Sequence, residues 1–385
     1  MTAKPEAAVR LFLCAVALAT GLAACAPRLA PPGPLIEAPA EARLTGGSLV
    51  TRDGLTLRLR SWSPAGPPAA VILALHGYND YSKAFEDPAT FLAGEGFLVY
   101  AYDQRGFGES PHTGIWAGSR RLTGDLSDAA HVLRTRHPNL PFFLLGVSMG
   151  GAVILAAAGG GELPPTDGVV LAAPAVWARS TMPWYQRVAL WTAAHSLPWA
   201  RLTGKGLNIR PSDNIEMLRE LGRDPLVIKG SRIDAIYGLV NLMDEALAAA
   251  PHLKTRALLL YGERDEIVPK DPSFRLWRDL PDSVRRNQRR ALYENGWHML
   301  LRDLEAERVL GDIAAWIEDQ DAPLPSGADA HALAALQREG DPTPCREQKG
   351  SPKPVPEATL AEAPLSQGQT ISAASSADPG PSSGC

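Results

Sequence analysis

The chain is poor in several things, and each shortage removes a class of function. It has four cysteines in 385 residues, at positions 14, 25, 345 and 385. None falls in the long middle of the chain, and nothing positions the last two for a bridge, although an oxidising compartment would permit one. No cluster of His, Cys, Asp or Glu has the spacing of metal ligands, so neither a metal nor an organic cofactor is implied. A formal net charge of −4 supplies no basic field for nucleic acid. Long apolar runs are missing too: the stretch from residue 11 to 22 falls short of the roughly 20 unbroken apolar residues a spanning helix needs. There is no internal repeat. What remains, 45% hydrophobic and 21% charged residues, is the composition of a globular enzyme.

The two ends differ from the middle. Lys4 and Arg10 precede the apolar run, which closes on Leu22-Ala23-Ala24-Cys25. This is a secretory signal whose last four residues resemble a bacterial lipobox. Cys25 is then expected to be the lipid-bearing first residue of the mature chain, and Ala26 resembles the sorting residue of lipoproteins sent to the outer membrane, facing the periplasm. Residues 1–24 are the expected signal peptide and residues 25–44, with Pro27, Pro31, Pro32, Pro34 and Pro39, the expected membrane tether. Residues 320–385, rich in Pro, Ser, Ala and Gly with few aromatics, are expected to be disordered.

Residues 45–319 alternate between two periodicities. Residues 55–62 alternate like an edge strand, while 70–75, 97–102, 142–146, 169–173, 257–261 and 290–293 are short apolar runs of buried-strand type. Helical patterns occupy 85–94, 120–136, 150–158, 233–250, 273–279 and 305–319. The alternation predicts an α/β fold with a mostly parallel, doubly wound sheet covered on both faces. It stops over residues 177–232, the expected helical cap. There Trp177, Trp184, Tyr185, Trp191 and Trp199 interleave with Arg179, Arg187, Arg201 and Lys205. Such a stretch can give an acyl chain a dry slot and meet a membrane, or simply pack a small subdomain.

Gly146-Val147-Ser148-Met149-Gly150 joins the third buried run to a helical pattern, where a strained nucleophile turn belongs. In a chain this rich in glycine the pattern alone is weak, so its partners must decide. A serine hydroxyl needs a base, and the base needs an acid to fix its tautomer and stabilise its cation. Downstream, the run ending at Tyr261 is followed by Glu263, Asp265 and Glu266, three candidate acids at a strand's carboxyl edge; the run ending at Tyr293 is followed by His298. Negative charge on the substrate oxygen calls for backbone N–H donors. Met149, directly after the serine, supplies one, and Tyr78, in the loop His76-Gly77-Tyr78 after the run 70–75, supplies the other.

Taken together, His76-Gly77, the segment Asp103 to Ser110, Gly146 to Gly151, the segment Gly262 to Pro269 and Gly296-Trp297-His298 resemble the α/β-hydrolase superfamily. The likeness is to its monoacylglycerol lipase and lysophospholipase-like branch, also described as serine aminopeptidase-like. The resemblance implies Asp265 as the acid, a structural role for Asp103 to Ser110, and a serine hydrolase acting on carboxylic esters of acyl lipids. Tyr78-Asn79-Asp80 departs from the family's usual loop, which bears on the acyl pocket and alcohol contacts. An exopeptidase on the same fold would need an acid in the cap, for which Glu216 or Glu220 could serve. A non-catalytic binding protein would lack a member of Ser148, Asp265, His298, and none is missing. The sequence implies no oligomeric state.

Overall fold

A strand covered on both faces has to be apolar at every position, and β4 (Ala70–Leu75), β5 (Phe97–Tyr102), β7 (Gly168–Ala172) and β10 (Ala257–Gly262) are buried along their whole length. In the computed structural model, which describes residues 26–35, 40–204, 206–280 and 288–340, these strands form the middle of one sheet. Its other members are β1 (Arg43–Thr45), β2 (Ser48–Val50), β3 (Thr56–Trp62), β6 (Phe142–Val147) and β11 (Gln288–Tyr293). The order is β1-β2-β3-β5-β4-β6-β7-β10-β11. From β5 to β11 every pairing is parallel, and the first three strands run antiparallel. β3 alternates buried and exposed residues near the open edge.

On one face lie α2 (Ser119–Arg136), α3 (Met149–Gly159), α6 (Ile233–Ala248) and α7 (Lys270–Asp279), with Leu126, Val153, Leu242 and Phe274 in their shared core. On the other lie α1 (Glu86–Gly94) and α8 (Ala306–Glu318), with Leu92, Ile313 and Trp316. The expected doubly wound α/β fold is what the chain adopts. Between β7 and α6 the insertion carries α4 (Trp184–Ser196), α5 (Ile215–Arg223) and a two-stranded ribbon of β8 (Arg201–Leu202) with β9 (Ser231–Arg232).

Three boundary expectations are corrected. The tail does not lose structure at residue 320: α9 (Ala328–Gly340) follows, with Leu324, Ala328, Ala332 and Ala335 buried. The three alanines recur on one face of the helix and cover β11, the edge strand, to which Arg289 and Asp329 add an ion pair at 2.9 Å. Average composition over the tail hides so narrow a stripe. Nor are residues 26–35 a free tether. They are irregular, as their prolines dictate, but docked: Ala30 N–H donates to Trp116 O at 2.7 Å, Gly33 N–H to Asp53 Oδ2 at 2.9 Å and Leu35 N–H to Asp53 O at 2.8 Å. Proline stiffens the unbound chain, so little freedom is lost on docking. The domain also begins before residue 45, since β1 opens at Arg43. The signal segment, Cys25, Pro39, Lys205, Cys345 and Cys385 lie outside the described residues.

Candidate active site

β4 pairs with β5 on one side and β6 on the other, so consecutive crossovers leave in opposite directions and open a crevice beyond the carboxyl ends of β4 and β6. Ser148 stands there, one residue past β6, with φ 51° and ψ −113°. That conformation costs a non-glycine residue roughly 1–3 kcal/mol. It is held by Ser148 N–H donating to Ala172 O at 2.9 Å, and by Ser148 O accepting from Ala152 N at 3.1 Å and Ala175 N at 2.9 Å. The flanking glycines are obligatory for space. A Cβ on Gly146 would meet Gly151 N at 2.5 Å, and one on Gly150 would meet Leu75 O at 2.1 Å.

His298 lies on the turn after β11, its ring almost buried. Ser148 Oγ is 3.0 Å from its Nε2, and Asp265 Oδ2 is 2.8 Å from its Nδ1. Asp265 Oδ1 accepts from Ile267 N at 2.8 Å and Val268 N at 2.9 Å, which orients the carboxylate toward the imidazole. The other candidate acids point elsewhere. Glu263 meets His331 at 3.2 Å, and Glu266 accepts from Arg210 N at 2.6 Å. Position on the turn after β10 therefore separates three acids that composition could not.

The amides of Tyr78 and Met149 donate to no group of the described chain. Met149 is the first residue of α3, whose opening N–H groups have no partner within the helix. Tyr78 belongs to a loop fastened from below: His76 Nε2 accepts from Gln104 N at 2.9 Å, its Nδ1 donates to Gly77 O at 2.9 Å, and Gln104 Nε2 donates to His76 O at 2.8 Å. Burial depresses the His76 pKa and keeps the ring neutral, as an acceptor at Nε2 requires. The Tyr78 phenol, pushed up to about 12 mainly by burial, stays protonated.

Pairings invisible in the sequence complete the surroundings. Asp80, in the Tyr78 loop, forms an ion pair with Arg302, which follows His298 by one helical turn's length of chain. Asp303 accepts from Trp297 N at 2.8 Å and from Ser212 Oγ at 2.6 Å, tying the histidine turn to the cap just before α5. No local signal could have announced contacts across 222 residues of chain. A cavity of about 70 Å³ at Ser148 and His298, walled by Tyr78, Phe85, Val147 and Leu301, meets a vestibule of about 520 Å³ at Asp80, Ala84 and Arg302. The vestibule is mixed, with Lys83, Glu220, Arg223 and Asp224 on its walls beside Met217, Leu221 and Pro225.

Most of the cap aromatics face outward, Trp177 alone being half-buried. Trp184, Tyr185, Trp191 and Trp199 are exposed, Trp184 by 73%. Arg179 is engaged with Asp244 and Asn241 and stands over the Tyr237 ring, whereas Arg187 is exposed. Of the two acids considered for amine recognition, Glu216 pairs with Arg219 and Glu220 lines the vestibule.

Comparison with known proteins sets the chain among relatives. The family described as serine aminopeptidase, S33, matches residues 66–305. A monoglyceride lipase of Homo sapiens is 30% identical over 291 residues, covering 71% of this chain and 90% of that protein. A monoacylglycerol lipase of Mycolicibacterium smegmatis is 30% identical over 272 residues, covering 66% and 90%. Among solved structures, a carboxyl esterase of Bacillus coagulans superposes with a TM-score of 0.60 at 17% identity, covering 71% of this chain and 98% of that one. A monoacylglycerol lipase of Paleococcus ferrophilus does so at 0.56 and 22%, covering 68% and 98%. Both share the fold.

Proposed function

The chain belongs to the serine aminopeptidase S33 family, in the monoacylglycerol lipase-like branch of the α/β-hydrolases, and is a serine ester hydrolase; from that premise we propose that Ser148, His298 and Asp265 cleave carboxylic esters of acyl lipids of the monoacylglycerol or lysophospholipid type. Ser148 Oγ attacks the ester carbonyl as its proton passes to His298 Nε2. Asp265 holds the imidazole by Nδ1 and stabilises the cation that forms. The amides of Tyr78 and Met149 receive the oxyanion. The proton on Nε2 then goes to the leaving alcohol, and the alcohol departs. Water, activated by the same nitrogen, releases the fatty acid and restores the serine.

The observation that carries this reading is the unbroken hydrogen-bonded series Asp265–His298–Ser148 beside two undonated amides. The apolar walls at Phe85, Val147 and Leu301 suit the acyl chain, and the charged side chains on the vestibule wall suit the alcohol half. The test is a parallel assay of a monoacylglycerol, a lysophospholipid, a short p-nitrophenyl ester and a prolyl amide. We expect the acyl-lipid esters to be preferred, and Ser148→Ala to lose about 10⁴-fold or more in kcat and all labelling by a fluorophosphonate. Preference for the amide would favour the exopeptidase reading, for which Glu220 on the vestibule wall is the supporting carboxylate.

The enzyme is further proposed to be a lipoprotein of the bacterial outer membrane, facing the periplasm and tethered through Cys25, on the strength of Leu22-Ala23-Ala24-Cys25. Cys25→Ser should abolish lipid modification and release the protein to the soluble fraction.

A further inference from the structure

The stretch around the cap has an unusual charge pattern: no carboxylate occurs between Asp167 and Asp213, while Arg179, Arg187, Arg201, Lys205 and Arg210 do. On this background α4 and the residues after it expose Trp184, Tyr185, Val188, Trp191, Leu197 and Trp199. Large aromatics with a polar edge, flanked by cations and free of acids, suit the headgroup layer of an anionic bilayer better than bulk water.

The docked segment 26–35 arrives beside this surface. Arg28 N–H donates to Asp234 Oδ2 at 3.3 Å, and Asp234 N–H donates to Pro198 O at 3.1 Å, between Leu197 and Trp199. Tyr237, one turn along α6, shares a groove of about 500 Å³ with Pro27, Arg28 and Leu29. Its ring also meets His195 at 5.5 Å, and His195 stacks on Trp191 at 4.5 Å. The segment and the aromatic surface are thus separated by single residues of α6. Arg28 and Leu29 are themselves exposed. Three residues span at most about 11 Å, so residue 25 lies within that distance of Arg28.

We infer that residues 26–35 are a strap which delivers the lipid-bearing end of the chain onto the aromatic face of the cap, so that strap and cap form one docking face for a phospholipid bilayer. The strap half rests on the lipoprotein reading; the aromatic half stands on the exposed side chains. Because the strap is bonded to Trp116, Asp53 and Asp234, anchoring at Cys25 sets the orientation of the domain as well as its distance from the membrane.

The experiment uses full-length lipidated protein in vesicles of phosphatidylcholine and phosphatidylglycerol, spin-labelled at Trp191→Cys or, as a control on α9, at Leu333→Cys, with Cys345 and Cys385 replaced by serine. We expect the label at 191 to show headgroup-depth immersion and the label at 333 to remain in water. A label at 191 in water on anchored protein would overturn the shared face and leave the lipoprotein reading intact. With Cys25→Ser protein, vesicle binding should weaken, and the residual binding should need phosphatidylglycerol. The triple variant Trp184→Ser, Trp191→Ser, Trp199→Ser should lower that residual binding about tenfold or more, with hydrolysis of a soluble short ester unchanged. Unaltered processing and anchoring of Cys25→Ser would overturn the lipoprotein reading and the strap with it, whereas unaltered binding by the triple variant would overturn the aromatic face.

Discussion

Ser148 shows how a single residue is made reactive by what its neighbours lack. Glycines at 146 and 150 leave room for backbone that any Cβ would obstruct, and three main-chain hydrogen bonds hold the strained φ. The Tyr78 amide offers a sharper test than the triad. Tyr78→Pro removes that N–H and should lower kcat about 10²- to 10³-fold, whereas Tyr78→Ala keeps it and should cost much less; steady-state rates on a soluble ester decide. His76 bears on pH. Burial lowers its folded pKa below the ordinary value near 6.5, so below that pH the unfolded chain takes up a proton the folded one resists. Its stabilising contribution is complete above about pH 6.5 and is lost as pH falls toward the folded value. Melting midpoints at pH 8 and pH 5 should therefore differ less in His76→Gln than in the wild type. The triad candidates were legible because each follows an apolar run at a strand's carboxyl end. The Asp80–Arg302 pair was not, since no local pattern links residues 222 apart.

At the scale of elements, buried strands were the easiest to read: β4 and β5 match their apolar runs residue for residue, because total burial leaves only apolar side chains. The short edge strands β1 and β2 and the cap ribbon escaped, being too brief and too polar to carry a period. α9 escaped for another reason. Its buried face is mostly alanine, which contributes little to a hydrophobicity pattern but lets a helix lie close against the β11 edge. A chain ending at residue 323 should lose about 2–4 kcal/mol of stability relative to one ending at residue 340, measured by denaturant unfolding. Equal midpoints and slopes would show that the helix contributes nothing to the fold.

For the whole molecule, the distinction between tether and domain shifts. A chain starting at residue 43 forfeits the hydrogen bonds from Ala30, Gly33 and Leu35 and should be about 1–3 kcal/mol less stable than one starting at residue 26. Its kcat/KM on a soluble ester should stay the same, because the strap touches neither Ser148 nor His298; thermal melts alongside the assay separate the two effects. Among the described residues no helix is long and apolar enough to cross a membrane. Local chemistry written in the chain determined the α/β alternation, the serine turn, the order of acid and base, and the aromatic insertion, since each depends on neighbours within a few residues. Tertiary structure alone decided that Glu263 and Glu266 turn away to His331 and Arg210, that Trp184, Trp191 and Trp199 face outward, and that a proline-rich leader lies bonded to the domain, because those outcomes rest on hydrogen bonds and burial between segments that only folding brings together.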